Sequence, residues 1–321
     1  MREKDVEEIR LQYKKFLQAW EEGAKDQLDE CVKDLPFAYV SMYGHTYSRE
    51  QIKEWFCNPG PAGSKMSILP MQDTILTLDR EAQQYAVILG MITKGEEHIA
   101  FGGSFMNHYE LTEAGWVLET IRFQLQSDDG MREETLDADG IVHRILGEGN
   151  RALMGDWLGV DERVGAFQDK IEHSGELVIT PEIDAPWRRI QKPDNSMTDE
   201  EAVIDTFCHI SAAYDYLAFM LAVPALNEDA TVDVGGMFGP MNRRDALGYL
   251  KELRKSQPRS FTGLEITSLK LDGEKASAVV RVTAPEAYHI VEDKVSFEKD
   301  IYAVELRREK DRWTIVKAIR Q

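Results

Sequence analysis

Residues 229–239 read Asp-Ala-Thr-Val-Asp-Val-Gly-Gly-Met-Phe-Gly, and residues 34–44 read Asp-Leu-Pro-Phe-Ala-Tyr-Val-Ser-Met-Tyr-Gly. Both stretches begin with Asp, continue for seven residues and end in Met-aromatic-Gly, 195 positions apart. The same offset, without a gap, joins Ile9 to Ile204. Further matches follow in the same order: Leu78-Asp79 with Leu271-Asp272, and Glu110-Leu111…Trp116 with Glu305-Leu306…Trp313. Several matches in one order indicate an internal duplication of a single domain.

The composition limits the classes of protein to consider. The chain has 321 residues, enough for two domains of about 100–150 residues, and is 43% hydrophobic and 30% charged. Its formal net charge of −19 argues against nucleic acid and anionic membrane surfaces as partners, because both require a basic face. No leader-like or membrane-spanning apolar run is present, and the three cysteines have neither disulfide nor metal-site spacing. We therefore expect a cytoplasmic protein with reduced thiols.

Each half predicts a similar succession of elements: helix, helix, strand, helix and a meander of antiparallel strands. Apolar residues at helical spacing from Val6 to Trp20 predict the first helix, and a capping box at Thr198–Glu201 begins its counterpart. Ser48 and Asn242 stand at the predicted starts of later helices. Alternating and β-branched runs predict the strands: Phe37–Tyr43, Met71–Leu78, Gln84–Thr93, Ile99–Leu111 and Gly115–Leu125, then Ala230–Val234, Thr262–Leu271, Ser277–Thr283, Ser296–Arg307 and Trp313–Arg320.

The residues between the two copies have no counterpart in either. They begin with the polar run Ser127-Asp-Asp-Gly, include a predicted helix over Asp161–Glu172, and end in a proline-containing stretch that predicts an extended linker. We therefore predict a first copy over residues 1–126, a connector over 127–197 and a second copy over 198–321.

This order of elements, with a few short motifs, resembles the nuclear transport factor two-like superfamily, which includes SnoaL-like cyclases, ketosteroid isomerases and scytalone dehydratases. The motifs are Glu-Asp-Ala-Thr-Val at 228–232, the helix at 242–253, and Arg-Trp-Thr-Ile at 312–315 with its copy Gly-Trp-Val-Leu at 115–118. The resemblance implies an α+β fold of two tandem cone-shaped domains, each a curved antiparallel sheet covered by about three helices. Many members bind a hydrophobic small molecule inside the cone, and others only dimerise.

Ketosteroid isomerases carry an Asp general base on the first strand of the sheet. In the ungapped match, Val234 and Tyr39 occupy the corresponding position. Asp233 is one residue away, and it should face the other side of the sheet because side chains alternate along a strand. The resemblance therefore gives little support to steroid-isomerase chemistry, and it leaves Tyr39 as a candidate substrate contact.

Scytalone dehydratase-like enzymes pair Tyr and Asp near the first helix with histidines on the sheet, for general acid–base catalysis. Tyr214 and Asp215 resemble that pair, and the resemblance implies catalytic roles for them together with His289 and Asp300. In the ungapped match the first copy has Trp20 opposite Asp215 and so lacks the carboxylate.

Three further residues are candidate substrate contacts. His98 and His108 are ten residues apart and share a strand face if no bulge intervenes. Phe238 belongs to a group of Met and Phe side chains that could line an adaptable apolar pocket or equally form core. No metal-binding, phosphate-binding or hydrolase motif is present, so we expect neither a metal nor a cofactor.

Two hypotheses for function remain. The first is a cofactor-free lyase or isomerase, of the dehydratase or cyclase kind, that binds a small hydrophobic molecule and uses general acid–base catalysis. The second is a non-catalytic ligand-binding or assembly scaffold, and a third variant has only one working copy. In each case we expect the two copies to form an intramolecular pseudo-dimer or the chain to form a homo-oligomer.

Overall fold

The computed structural model describes most of the chain: residues 2–40, 44–57, 63–127, 133–136, 142–145, 184–216, 218–256, 262–287, 289–291, 294–310 and 312–321. Within these residues no helix is both long enough and apolar enough to cross a membrane.

The chain divides into two compact units. The first unit contains Met1–Leu69, Ile75–Gln84 and Leu89–Ser196, whereas the second contains Met197–Gln321 together with Pro70–Thr74 and Tyr85–Ile88. The second unit therefore includes two short pieces of strand from the first half of the sequence. The domain boundaries expected from the sequence stay a prediction.

Among the described residues, the first copy has three helices: α1 (Arg2–Glu22), α2 (Lys25–Leu28) and α3 (Arg49–Phe56). The apolar face predicted for α1 is buried, with Ile9, Phe16 and Trp20 fully inaccessible to solvent. Ser48 caps α3, as predicted, because its Oγ accepts a hydrogen bond from the backbone N–H of Gln51 at 3.3 Å.

The sheet of the first unit has the strand order β2-β1-β6-β5-β4-β3. It is mixed rather than wholly antiparallel, because β1 pairs in parallel with β6 and antiparallel with β2. The strands are β1 (Val32–Val40), β2 (Gly44–Thr46), β3 (Ser64–Leu78), β4 (Glu81–Lys94), β5 (Glu97–Thr112) and β6 (Gly115–Ser127).

Three short elements of the connector are described. Strands β7 (Glu133–Leu136) and β8 (Val142–Ile145) form an antiparallel pair. The proline-containing stretch, predicted to be extended, instead contains a helical turn, α4 (Pro186–Arg189), with proline at its first position, where no backbone N–H is needed. The helix predicted over Asp161–Glu172 lies outside the described residues.

The second unit repeats the arrangement with helices α5 (Asp199–Asp215) and α6 (Arg243–Ser256). The predicted capping box is present, since Thr198 and Glu201 each accept a hydrogen bond from the backbone N–H of the other. The sheet order is β10-β9-β16-β15-β12-β11, and β13–β14 form a separate ribbon. The strands are β9 (Leu226–Asp233), β10 (Pro240–Asn242), β11 (Gly263–Asp272), β12 (Lys275–Thr283), β13 (His289–Val291), β14 (Lys294–Ser296), β15 (Glu298–Glu309) and β16 (Arg312–Arg320).

The two sheets share one topology, which confirms the predicted fold class of two tandem α+β domains. Their registers also correspond: Tyr39 pairs with Arg122 across β1 and β6, and Asp233 pairs with Ile319 across β9 and β16. The structural offset along the first strand is therefore 194 positions, and the ungapped match at 195 was wrong by one residue. The loop that follows Asp233 is one residue longer than its counterpart, so aligning Met-aromatic-Gly shifts the strand.

The first helices keep the offset of 194. The indole N–H of Trp116 donates to Asp5 at 3.3 Å, and that of Trp313 donates to Asp199 at the same distance. Residue 20 in α1 therefore corresponds to residue 214 in α5. This corrects the expectation that Trp20 stands opposite Asp215: its counterpart is Tyr214.

Candidate active site

An aromatic cluster fills the space between helices and sheet in the first unit. Its closest pair is Phe105 and Phe123, on neighbouring strands, whose rings stack with centroids 4.2 Å apart and planes inclined by 17°. Edge-to-face contacts extend the cluster to α1 and α3. All six rings are 2% exposed or less: Phe16, Trp20, Phe56, Phe101, Phe105 and Phe123.

The second unit has polar residues where the first has its stacked pair. Each sheet has a register shift between its last two strands, after His108 in β5 and after Glu305 in β15, so the two strands superpose with an offset of 197. Phe105, which pairs with Phe123, then corresponds to Tyr302, which pairs with Arg320. The stacked aromatic pair has thus become a tyrosine and an arginine.

The two copies also differ at a position close to the stacked pair, which is Gly103 in the first copy. A Cβ on Gly103 would lie 2.4 Å from a ring carbon of Phe123, so the phenylalanine requires glycine at this position. The corresponding residue in β15 is Asp300, whose own Cβ excludes a ring placed like that of Phe123. The Arg320 side chain lies instead beside Gly235, with Cδ 3.7 Å from the position of a Cβ there. The difference between Gly103 and Asp300 is therefore linked to the difference between Phe123 and Arg320.

Asp300, Tyr302 and Arg320 form one cluster on the helix-facing side of the second sheet. Tyr302 packs against the core, and Asp300 pairs with Val282, which packs against the same core. A carboxylate oxygen of Asp300 forms a salt bridge with the guanidinium of Arg320, and their side chains are 18% and 48% exposed. Burial, reinforced by the Asp300 carboxylate, raises the pKa of Tyr302 to about 12. Tyr302 is therefore a phenol at neutral pH and can donate a hydrogen bond.

Tyr214, a predicted catalytic residue, lies on the helix side of the second unit. The guanidinium of the buried Arg254 lies 5.8 Å from the centre of its ring, and Arg254 Nε donates to its carbonyl at 3.3 Å. Where Trp20 joins an all-aromatic cluster, Tyr214 has a cation beside it. The ring of Tyr214 therefore has a charged side chain next to it, whereas the ring of Trp20 packs against other aromatic rings.

Asp215, the last residue of α5, is 3% exposed. Its Oδ2 accepts a hydrogen bond from the hydroxyl of Tyr85 at 3.1 Å, and its Oδ1 accepts one from the backbone N–H of Thr262 at 3.2 Å. Burial and the neighbouring carboxylate hold the pKa of Tyr85 well above its usual value. Both partners belong to the second unit, and these bonds tie the helix end to two other segments.

The histidines of the first unit lie away from its aromatic cluster. His108 is an odd number of residues from Phe105, before the register shift, so it faces the opposite side of the sheet. Its Nδ1 lies 2.7 Å from Oε2 of Glu119. The other carboxylate oxygen of Glu119, Oε1, lies 2.6 Å from the ammonium group of Lys33. Burial lowers the pKa of His108, although Glu119 opposes the shift. The neutral ring donates from Nδ1 to Glu119.

The other predicted site residues are dispersed. His98 shares the strand and the even-numbered face of His108, and its Nδ1 is buried. Tyr39 is 9% exposed and, because it pairs with Arg122 rather than with Phe123, lies on the sheet face away from the aromatic cluster. Phe238 is 62% exposed and its ring contacts Tyr249 at 5.5 Å. His289 begins β13, and its side chain lies outside the described residues.

Sequence reasoning missed Tyr302, Arg320, Arg254 and Tyr85. A gapped alignment of the two copies would have revealed the first two, because it places Phe105 against Tyr302 and Phe123 against Arg320. Nothing local in the sequence marks Tyr85 or Arg254, which become notable only through their contacts with Asp215 and Tyr214. Among the described residues, no group of three or more His, Cys, Asp or Glu side chains is placed to hold a metal ion.

Comparison with known proteins gives similarity in fold. No protein-family model matches the sequence, and no curated protein matches it. The solved structures that are similar include a nuclear transport factor two-like superfamily protein from Salmonella enterica, with 11% identity and a TM-score of 0.36, covering 42% of this chain and 100% of that one. A protein from Streptomyces avermitilis, provisionally assigned as a dehydratase of the same family, has 11% identity and a TM-score of 0.35, with 39% and 97% covered.

A third similar structure is a protein of this family from Cytophaga hutchinsonii, with 14% identity and a TM-score of 0.32, covering 39% of this chain and 98% of that one. Each of these matches spans about 40% of this chain and nearly the whole of the other one. These similarities concern the fold alone, and we infer no activity from them.

Proposed function

We propose that this chain, two nuclear transport factor two-like α+β domains in tandem, binds a small hydrophobic molecule in its second domain. The site is the helix-facing side of the second sheet, where Asp300, Tyr302 and Arg320 meet the apolar core. The first domain, whose corresponding space holds stacked aromatic rings, has a structural role.

The replacement of Phe105, Phe123 and Gly103 by Tyr302, Arg320 and Asp300 carries the proposal. An ion pair that is partly withdrawn from water is often less stabilising than apolar residues of similar volume. The first copy demonstrates that the same fold accepts the apolar solution. Sequences that forgo the more stable packing do so most often at functional sites, which favours a binding role for this cluster.

The chemistry of the cluster suits a molecule with an apolar body and an oxygen function. Tyr302 donates a hydrogen bond to a carbonyl oxygen, since its phenol stays protonated at neutral pH. In this proposal Asp300 accepts a proton from a carbon next to that carbonyl and returns it elsewhere on the molecule. Arg320 forms a salt bridge with the carboxylate and so fixes its orientation. Together these groups would support an isomerase or lyase reaction by general acid–base catalysis.

A thermal-shift screen with uncharged ring ketones tests the proposal. A ligand that raises the melting temperature of the wild type should lose most of this effect in Tyr302→Phe, because the phenol no longer donates to its carbonyl. Tyr39→Phe is the matched control, since Tyr39 lies on the sheet face of the first domain away from the helices. Equal shifts in the wild type and Tyr302→Phe for every ligand would reject Tyr302 as a ligand contact.

The scaffold hypothesis remains as the second candidate, favoured by one observation. The six buried rings of the first domain form a continuous aromatic core. A scaffold needs no ligand in either domain. It predicts that no ketone stabilises the wild type and that Tyr302→Phe is as stable as its parent.

A further inference from the structure

A second space in the second unit lies apart from the proposed site. It is a cavity of about 530 Å³ between the N-terminal half of α5 and the edge strand β11. This volume is within the usual range for small-molecule sites, roughly 300–1,000 Å³. Neither Asp300, Tyr302 nor Arg320 lines it. Its lining residues all belong to the second unit: Met71, Gln72, Asp73, Glu200, Ile204, Phe207, Leu264, Glu265, Ile266, Thr267, Ser268, Leu269 and Leu271.

The lining combines apolar side chains with acidic groups. Seven of its side chains are apolar, and they come from the helix, the edge strand and Met71. Three are carboxylates, Asp73, Glu200 and Glu265, and none is Lys, Arg or His. Glu265 forms a salt bridge with Arg281 at 3.2 Å, and Arg281 also forms one with Glu298 at 2.9 Å. The cavity therefore places carboxylate groups beside apolar side chains.

The cavity has a fixed shape on one side. Gln72 is 8% exposed, and its Nε2 donates to the hydroxyl of Ser211 at 2.9 Å. Its Oε1 accepts from the backbone N–H of Leu264, also at 2.9 Å. These two bonds hold the segment that contains Met71 and Asp73 against both the helix and the strand. A preformed wall reduces the entropy lost when a ligand binds.

In the first copy, the connector covers the end of the corresponding edge strand, β3. In its strand β3, the backbone N–H of Thr77 donates to Asn195 at 3.0 Å, and that of Asp79 donates to Asp194 at 2.8 Å. Counted from the hairpin turn, Thr77 corresponds to Leu271 of β11. Leu271 is 42% exposed and lines the cavity instead of being covered. The duplicated edge is therefore closed in one copy and open to a ligand in the other.

We propose that this cavity is a separate binding site for a small molecule with an apolar body and one cationic amine group. The apolar body packs on Phe207, Ile204 and the leucines of β11, and the ammonium group lies among the carboxylates. The α5 N-terminus opposes a cation with about half a positive charge. That first turn also has three acidic residues, Asp199, Glu200 and Glu201, of which Asp199 pairs with Arg308 at 2.9 Å.

Three ligands that differ only in their head group provide the test: octylamine, octanol and octanoate. By titration calorimetry on the full chain, octylamine should bind roughly tenfold more tightly than octanol, and octanoate more weakly than both. Glu200→Gln should weaken octylamine about threefold, the size expected for a partly exposed ion pair, and leave octanol unchanged. Glu3→Gln is the matched control, because it removes the same charge at an exposed position of α1.

A second variant locates the binding site. Leu269→Trp places a large ring in the cavity, and it should abolish octylamine binding while ketone binding at Tyr302 persists. Failure of the ketone screen alone would reject the proposed function and leave this site intact. The inference is overturned if octylamine does not bind, if the three ligands bind equally, or if Glu200→Gln and Glu3→Gln weaken octylamine to the same extent.

Discussion

Tyr302 in the second copy occupies the position of Phe105 in the first. Tyr302 pairs with Arg320 on the neighbouring strand, just as Phe105 pairs with Phe123. One fold thus presents two solutions for the same space within one chain. The first is an aromatic stack, and the second is a phenol beside an ion pair. The first copy is therefore a built-in control for the second.

Converting the second cluster into the first should stabilise the protein. The triple variant Asp300→Gly, Tyr302→Phe, Arg320→Phe replaces a partly buried ion pair by a stacked ring pair, and it provides the glycine that the ring requires. We expect about 1–3 kcal/mol of added stability in urea unfolding of the second unit. A double variant that keeps Asp300 should gain less or lose stability, because the Asp300 Cβ excludes the ring. Equal stability of double and triple variants would contradict the comparison.

The reverse change in the first copy should be costly. Phe123→Arg buries a cation among aromatic rings with glycine, not aspartate, at position 103, and we expect a loss of at least about 3 kcal/mol. Ile319→Arg introduces the same side chain at a position that is 37% exposed, and it should change stability by less than about 0.5 kcal/mol. Similar losses in both variants would show that the burial of Phe123 is not what matters.

The hydrogen bond between Tyr85 and Asp215 should be a structural bond of the second unit. Tyr85→Phe leaves a buried carboxylate oxygen without this donor, and we expect a loss of about 1.5–3 kcal/mol. Tyr47→Phe, at a tyrosine that is 68% exposed, is the control. A double-mutant cycle with Asp215→Asn measures the coupling energy, which should exceed about 1 kcal/mol. A coupling energy near zero would mean that the two groups do not interact.

His108 predicts a pH dependence of stability. Because burial lowers its pKa in the folded protein, the unfolded chain binds the proton more readily. The contribution of this histidine is complete above its unfolded pKa of about 6.5 and is lost as the pH falls through the lower folded value. The charged groups near it are Glu119 and Glu81, which oppose the shift, and Arg189, which supports it.

His108→Asn provides the measurement. The stability of the wild type relative to this variant should decrease as the pH is lowered from about 7.5 to about 5. The pKa of Glu119 is lowered in the folded protein, so protonation of Glu119 reduces the stability only below about pH 4.5. If the difference between the two proteins stays constant over that range, the ring is not held neutral by the fold.

Local signals in the sequence predicted the elements well. The capping box at Thr198 and Glu201, and the N-cap at Ser48, are present because each depends on residues three positions apart. The duplication was also recognisable. Its exact register was not, since matching identities favoured the Met-aromatic-Gly loop over the strand, and a single extra loop residue moved Asp215 opposite Trp20.

The candidate site depends on contacts that local patterns do not encode. Asp300 and Arg320 are twenty residues apart, and they meet only because β15 and β16 pair with a particular register shift. Of the predicted catalytic residues, Asp300 lies in this cluster, and Tyr214 lies on the helix side of the same unit. His98 and His108 share a strand face as expected, and it is the face away from the aromatic cluster. Alternation along the strand decides which face a side chain occupies, and the residue type does not.

The most direct test of a ligand site in the second domain is the stoichiometry of binding. An uncharged ring ketone that stabilises the wild type should bind with one site per chain in titration calorimetry, because the corresponding space of the first domain is filled by aromatic rings. The Asp300→Gly, Tyr302→Phe, Arg320→Phe variant should remain folded and show no binding heat. Unchanged affinity in that variant, or two equivalent sites per chain, would contradict the account.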